Sequence, residues 1–244
     1  MDELKRLYNY LKKSPKKILF LTTSNRWSGE KDLPKSSLIA QKLQAKLPNS
    51  TIINVSDLEI YSCEGNVSTR NGNNCGVKDA MLQSNNPEKF IRCWAAINNK
   101  NDEMYKVANA IYDADIIIFF GSIRWGKMNA VYTRLIERLT WLENRHTTLG
   151  EDNLLKDKEC GIIAIGHNWN GEEAVKLEKQ VLSFFGFKTP AVLSFNWQFT
   201  KDKNDETQKG YKEDYDKFIV EFNFIETLKE SLIIFKDWLK HGKD

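Results

Sequence analysis

The sequence predicts a three-layer α/β protein, a parallel sheet covered by helices on both faces. Short apolar runs without polar alternation recur along the chain, as strands buried on both faces do. Nearly all of them are separated by stretches with apolar residues at helical spacing, so strand and helix alternate. One such run, Ile116–Phe120, continues through a Gly121–Met128 loop into an amphipathic helix that starts near Asn129. On that helix Val131, Leu135, Leu139 and Leu142 share a face. Strand, polar loop and amphipathic helix make half of a βαβ unit, and ligands in such folds sit at the loops after the strands.

Taken in order, Met1–Ser14 carries Leu4, Leu7, Tyr8 and Leu11 at helical spacing among lysines, an N-terminal helix (1–14) expected to dock on the domain rather than on a membrane. Lys17–Thr22 reads as the first strand, with a loop at Thr23–Pro34 and a helix from about Lys35 through Leu38, Ile39, Leu43 and Leu47. Ser50–Asp57 reads as the second strand. Tyr61–Asn101, rich in Asn, Gly and Ser, holds Cys63, Cys75 and Cys93 and is too long for an ordinary connection. It is expected to be an insertion or a functional loop. Asp102–Tyr112 reads as a helix leading into the third strand. Glu159–Gly166 is the expected fourth strand and Glu172–Phe185 a helix that Gly186 would cap. Thr189–Phe195 is the expected fifth strand.

Thr200–Gly210 is polar and reads as a surface loop. From Asp214 to Lys240, without Gly or Pro, Phe218, Phe222, Ile225, Leu228, Leu232, Phe235 and Leu239 recur every three or four residues. That predicts a long C-terminal helix, the last layer helix with an extension, a coiled-coil or dimer role being the alternative. No repeat or boundary divides the chain, so one domain over 1–244 is expected. Five parallel strands favour the flavodoxin-like order 2-1-3-4-5 with right-handed crossovers.

The totals exclude several classes. Thirty-six basic side chains face 33 acidic ones, a net charge of +3, so charge implies neither a nucleic-acid nor a membrane partner. Four cysteines are too few for a disulfide scaffold in 244 residues, which fits a reducing cytoplasm. No apolar run approaches the roughly 18 residues of a membrane span, and the first residues lack a signal-peptide core. A soluble cytoplasmic protein is expected.

Three loops should gather at one end of the sheet. The first holds Ser24, Asn25 and Arg26, followed by Lys35-Ser36-Ser37 at the helix start. Amides at a helix N-terminus, joined by hydroxyls and a cation, make an anion site; N-capping by Ser36 or Ser37 is the alternative. Neither a phosphate-binding Walker loop nor the three-glycine dinucleotide fingerprint is present. The second loop holds Ser122, Ile123, Arg124, Trp125, Gly126 and Lys127 before Asn129. The third holds Gly166, His167, Asn168, Trp169, Asn170 and Gly171. Each of these two pairs an indole with glycine and hydrogen-bonding groups, which suits a flat aromatic ligand; simple packing of either tryptophan is the alternative. His146 and His241 sit in polar surroundings, and no hydrolytic triad or spaced carboxylate pair stands out.

On these residues the sequence resembles the flavodoxin-like NAD(P)H-dependent FMN reductases, which include the iron-sulfur flavoproteins. Ser24-Asn25-Arg26 stands where that family has a serine-x-arginine phosphate loop. Gly121 to Gly126 stands in its aromatic-glycine loop, Glu137-Arg138 in its acidic-arginine pair, and Gly166 to Gly171 in its flavin-bordering turn. The resemblance spans about Lys17 to Phe195. It implies bound FMN, NAD(P)H as reductant, a small acceptor such as a quinone or free flavin, and a homodimer or homotetramer. By resemblance Ser24, Arg26, Ser36 and Ser37 would hold the phosphate, Ser122 to Asn129 would face the ring and ribityl chain, and Gly166 to Gly171 would close the other side. The flavin carries the redox chemistry, so no catalytic side chain is implied.

Two departures matter. Ser122 replaces a proline of the family, and Arg124 an aromatic or small residue, which would put a cation near the flavin. The four closely spaced cysteines of the iron-sulfur branch are not matched, since Asn66 and Thr69 stand where thiolates would fall, so no metal is expected. An electron carrier on the same fold, or a flavin-free binding protein, are the rival readings.

Overall fold

Side chains alternate between the two faces of a strand, and here both faces are apolar. The computed structural model describes residues 2–25, 33–82, 91–166, 169–198, 207–213, 215–217 and 220. All of β1 (Ile18–Thr22) is buried, as are the first six residues of β3 (Ile116–Arg124). Leu19, Leu21, Ile117 and Phe119 enter one apolar layer, and Ile18, Phe20, Ile116, Ile118 and Phe120 enter the other. With β2 (Ser50–Asn54), β5 (Glu159–Gly166) and β6 (Phe195–Gln198), these strands form a parallel array in the order β2-β1-β3-β5-β6. Counted as parallel strands alone, that is the expected order. A two-residue strand, β4 (Lys127–Met128), pairs antiparallel with the end of β3 and makes the sheet six-stranded.

Helices cover both faces. On one lie α1 (Asp2–Lys13), through Leu4, Leu7 and Leu11, and α2 (Lys35–Gln44), through Ile39, Ala40 and Leu43. The chain from α2 onward adds α3 (Lys78–Leu82) and α4 (Trp94–Asn98), then α5 (Met104–Asp113), α6 (Ala130–Arg138), α7 (Thr140–Thr147) and α8 (Gly171–Phe184). Of these, α4 to α8 supply the second layer, with Ala95, Val107, Tyr132, Trp141 and Val175 among its buried side chains. The α8 C-terminus closes as expected around Gly186, whose φ is +98°. Its N–H donates to Ser183 O and that of Phe187 to Leu182 O, while Phe187 and Leu182 are both buried.

Several boundaries differ from expectation. The fifth strand does not start at Thr189: after one isolated bridge at Lys188, Pro190 cannot donate to a ladder, Ala191–Leu193 forms a short 3-10 turn, and continuous pairing begins at Phe195. The second strand ends at Asn54, with Val55–Asp57 a 3-10 turn. The helix past Asn129 is two helices, broken at Leu139. The 214–240 helix falls outside the described residues except at 215–217 and 220, which are helical; the expected Thr200–Gly210 loop is described only from Thr207, and residues 208–210 are helical rather than loop. Among the described residues no helix is long and apolar enough to cross a membrane.

The Tyr61–Asn101 stretch is anchored by a buried ion pair. Arg138 on α6 and Asp102 before α5 are both buried, and the guanidinium donates to Asp102 Oδ2 (2.6 Å) and Oδ1 (3.0 Å). Arg138 also donates to Tyr61 O (2.8 Å), and the backbone N–H groups of Tyr61 and Met104 donate to the same carboxylate (each 3.0 Å). The partner of Arg138 is therefore Asp102, not an acidic neighbour on its own helix; Glu137 is exposed. Cys75 and Cys93 are buried in the layer beneath, and burial pushes the Cys75 thiol up to about 11. Among the described residues no three His, Cys, Asp or Glu side chains form a metal-binding group.

Candidate functional site

At the carboxyl ends of β1, β3 and β5 the chain leaves the sheet as three loops, and the described parts of these loops line one cleft of ≈ 260 Å³. Its walls include Ser24, Asn25, Lys35, Ser36, Ser122, Ile123, Arg124, Ile165, Gly166 and Tyr211. It lies where β1 and β3 diverge, the switch point of the sheet.

The β1 side gathers hydrogen-bond donors at a helix start. Pro34 occupies the N-cap of α2 and makes no capping bond, so Ser36 and Ser37 lie inside the first turn rather than capping it. The first intrahelical bond is donated by Leu38 to Pro34 O. Helix geometry thus leaves the amides of Lys35, Ser36 and Ser37 without acceptors within the helix, at its positive end. The hydroxyls of Ser24, Ser36, Ser37 and Ser122 are buried and find no hydrogen-bond partner among the described residues. Buried hydroxyls are normally paired; these four, on α2, on the loop after β1 and on β3, are not. Lys35 and Arg124 line the cleft, and no carboxylate does among the described residues.

The β3 side departs from expectation in form. The predicted loop at Gly121–Met128 is a hairpin: β3 runs on to Arg124 and returns through Trp125-Gly126 into β4. Trp125 and Gly126 have φ of +51° and +70°, the hand of turn that fits twisted hairpins. For a tryptophan this left-handed backbone costs about 1–2 kcal/mol, and its indole is 89% exposed. Backbone strain and apolar exposure thus coincide at this hairpin tip.

The β5 side meets that tip. Asn170, also left-handed at φ +59°, stands at the N-cap of α8 and donates from Nδ2 to Gly126 O (2.6 Å). The Trp169 ring covers Gly126 so closely that a Cβ there would lie 2.7 Å from it. Gly166 in turn faces Ile123, 3.1 Å from where its Cβ would be. The second and third loops are therefore one unit with two exposed indoles; Trp169 is 55% exposed.

Asn129 joins this unit to the first loop. Its Nδ2 donates to Thr23 O (2.8 Å), and its Oδ1 accepts from Thr23 Oγ1 and from the Ser122 N–H (both 3.1 Å). Buried and engaged, it clasps the loops; its place in the site is that of a positioning residue. Lys127 and Arg124 are exposed on the hairpin, and Gly171 begins α8 under Asn196. Arg26, His167 and Asn168 lie outside the described residues. Sequence reasoning missed Tyr211, which comes from the polar stretch before the C-terminal region and reaches the cleft from outside the sheet. A larger hollow of ≈ 660 Å³ runs along the outward side of α8, lined by Lys176, Lys179 and Thr189 among others, but it includes none of the strand-end loops.

No known family's sequence model matches the chain, and no curated protein matches it by sequence. Solved structures do. The structure of RosB with bound 8-demethyl-8-formylriboflavin-5'-phosphate is 15% identical with a TM-score of 0.52, covering 93% of this chain and 87% of that one. The azoreductase from Bacillus anthracis is 17% identical with a TM-score of 0.51, covering 82% and 94%. These likenesses establish the three-layer flavodoxin-like fold.

Proposed function

We propose that the protein is a flavin-dependent NAD(P)H oxidoreductase, with a flavin phosphate held at the start of α2 and the ring at the Trp125–Trp169 edge. The carrying observation is the set of four buried, unpartnered serine hydroxyls around that helix start. The residues present fit the group. Helix amides, hydroxyls and Lys35 supply phosphate donors, and the hairpin with its indoles supplies a flat apolar border. The two solved structures of the same fold support the reading, one holding a riboflavin phosphate and the other being an azoreductase.

When bound, a flavin accepts a hydride from NAD(P)H and hands electrons on to an acceptor. The chain's part is placement. Ser24, Arg26, Ser36 and Ser37 hold the phosphate, and Ser122 to Lys127 with Gly166 to Gly171 border ring and ribityl chain. Asn129 keeps the loops in register. Arg124, exposed on the hairpin and lining the cleft, would bring a positive charge to the site and so would favour an acidic acceptor. FMN is the smallest flavin that this arrangement would hold; the acceptor is a small molecule, and the assembly a homodimer or homotetramer.

The test is the visible spectrum of the purified protein, before and after FMN and then NAD(P)H. Flavin bands that bleach on NAD(P)H support the reading. Bands that persist point to an electron carrier, and no bands at all remove the flavin.

A further inference from the structure

A second cleft of ≈ 550 Å³ adjoins the first across the N-terminus of α2, on the β2 side, and the two share Ser24, Asn25 and Pro34. Successive helical residues point about 100° apart, and Ser36 and Ser37 divide accordingly: Ser36 lines the first cleft and Ser37 the second. Both hydroxyls are buried and unpartnered, at 2% and 6% residue exposure, and so is Ser24 between them at 4%. One helix start thus offers orphan donors to two sides. That suits two linked phosphates better than one.

The far end of the second cleft has a different chemistry. Thr22 Oγ1 (3.0 Å) and Ser56 Oγ (2.9 Å) both donate to Asn54 Oδ1, which fixes the amide and turns its Nδ2 away from them. Asp57 stands beyond, exposed and without an ion pair among the described residues, and none of the described residues that line this cleft is basic. An unneutralised carboxylate repels a further phosphate but accepts from neutral hydroxyls. Asp57 closes the 3-10 turn that follows β2, and its carboxylate can accept from the neutral hydroxyls of a ribose diol. Leu33, Pro34 and Ile52 add apolar wall of the kind a base packs on.

We infer that the flavin site continues over the α2 N-terminus into this cleft and takes the dinucleotide FAD in preference to FMN. Its pyrophosphate spans Ser36 and Ser37, its adenosine ribose meets Asp57, and its adenine lies along Ile52. The inference rests on the flavin reading above.

The experiment titrates the full chain, freed of flavin, with FAD, FMN and ADP by calorimetry. FAD is expected to bind at least about tenfold tighter than FMN, the worth of one or two added charge-assisted bonds. ADP is expected to compete with FAD. Asp57→Ala, at an exposed position, is expected to weaken FAD about tenfold and to leave FMN affinity and the thermal midpoint unchanged. FMN binding as tightly as FAD, or Asp57→Ala weakening both alike, overturns the inference and leaves the flavin reading standing. Binding of neither flavin overturns both.

Discussion

Two clusters of buried polar groups sit on opposite layers of this sheet, and they are finished to different degrees. Around Asp102 the carboxylate takes two bonds from Arg138 and one each from the Tyr61 and Met104 amides. Around the start of α2, four serine hydroxyls have no partner among the described residues. Burial of a polar group is costly unless it is paired. The first cluster pairs its carboxylate fully within the chain, with Arg138 Nε the one buried atom of the pair lacking a partner among the described residues, and ties α6 to the Tyr61–Asn101 stretch. The second lacks such pairing among the described residues, and under the proposed flavin reading its hydroxyls meet a phosphate.

The sharpest way to break this contrast is Arg138→Ala. It strands a buried carboxylate and is expected to remove about 3–5 kcal/mol of stability in urea unfolding. A loss below about 1 kcal/mol would mean that the pair is not an anchor. Ser36→Ala with Ser37→Ala should do the reverse. Stability of the flavin-free protein stays level or rises by up to about 1 kcal/mol, because two orphan hydroxyls are gone, while flavin affinity falls at least about tenfold. Destabilisation on the scale of Arg138→Ala would make those hydroxyls structural.

Glu178 on α8 is the intermediate case. Burial raises its carboxyl above the ordinary range, and the Tyr132 hydroxyl, donating at 3.1 Å, only partly opposes this. A carboxyl raised on folding favours the folded state when protonated, so stability declines as pH rises from the ordinary carboxylate value through the folded one. Glu178→Gln should abolish that decline in pH-dependent thermal unfolding and gain less than ~1 kcal/mol at neutral pH, since the group is only half-buried. An unchanged pH profile would exclude Glu178 as its source.

The sheet was legible because its strands are unbroken apolar runs: Ile116–Phe120 and Glu159–Gly166 stand in the chain as they stand in the fold. The hairpin was not. Its turn carries Trp125 where Asn or Asp commonly precedes Gly, so turn chemistry gave no signal. The serines read from sequence either as an anion site or as helix caps, and Pro34 at the cap position removes the second reading. Asp102 and Arg138 lie 36 residues apart, and periodicity carries no information about such a pairing. Tyr211 was hidden for the same reason, its place in the cleft being set by tertiary path alone.

The central claim is that the orphan hydroxyls receive a flavin's phosphate, and the most direct measurement compares FMN with riboflavin, which differs only in lacking it. Titrated by quenching of flavin fluorescence, FMN is expected to bind at least about a hundredfold tighter, the worth of two or more charge-assisted bonds. Riboflavin binding as tightly as FMN would contradict the account, because the serines would then have no phosphate to meet.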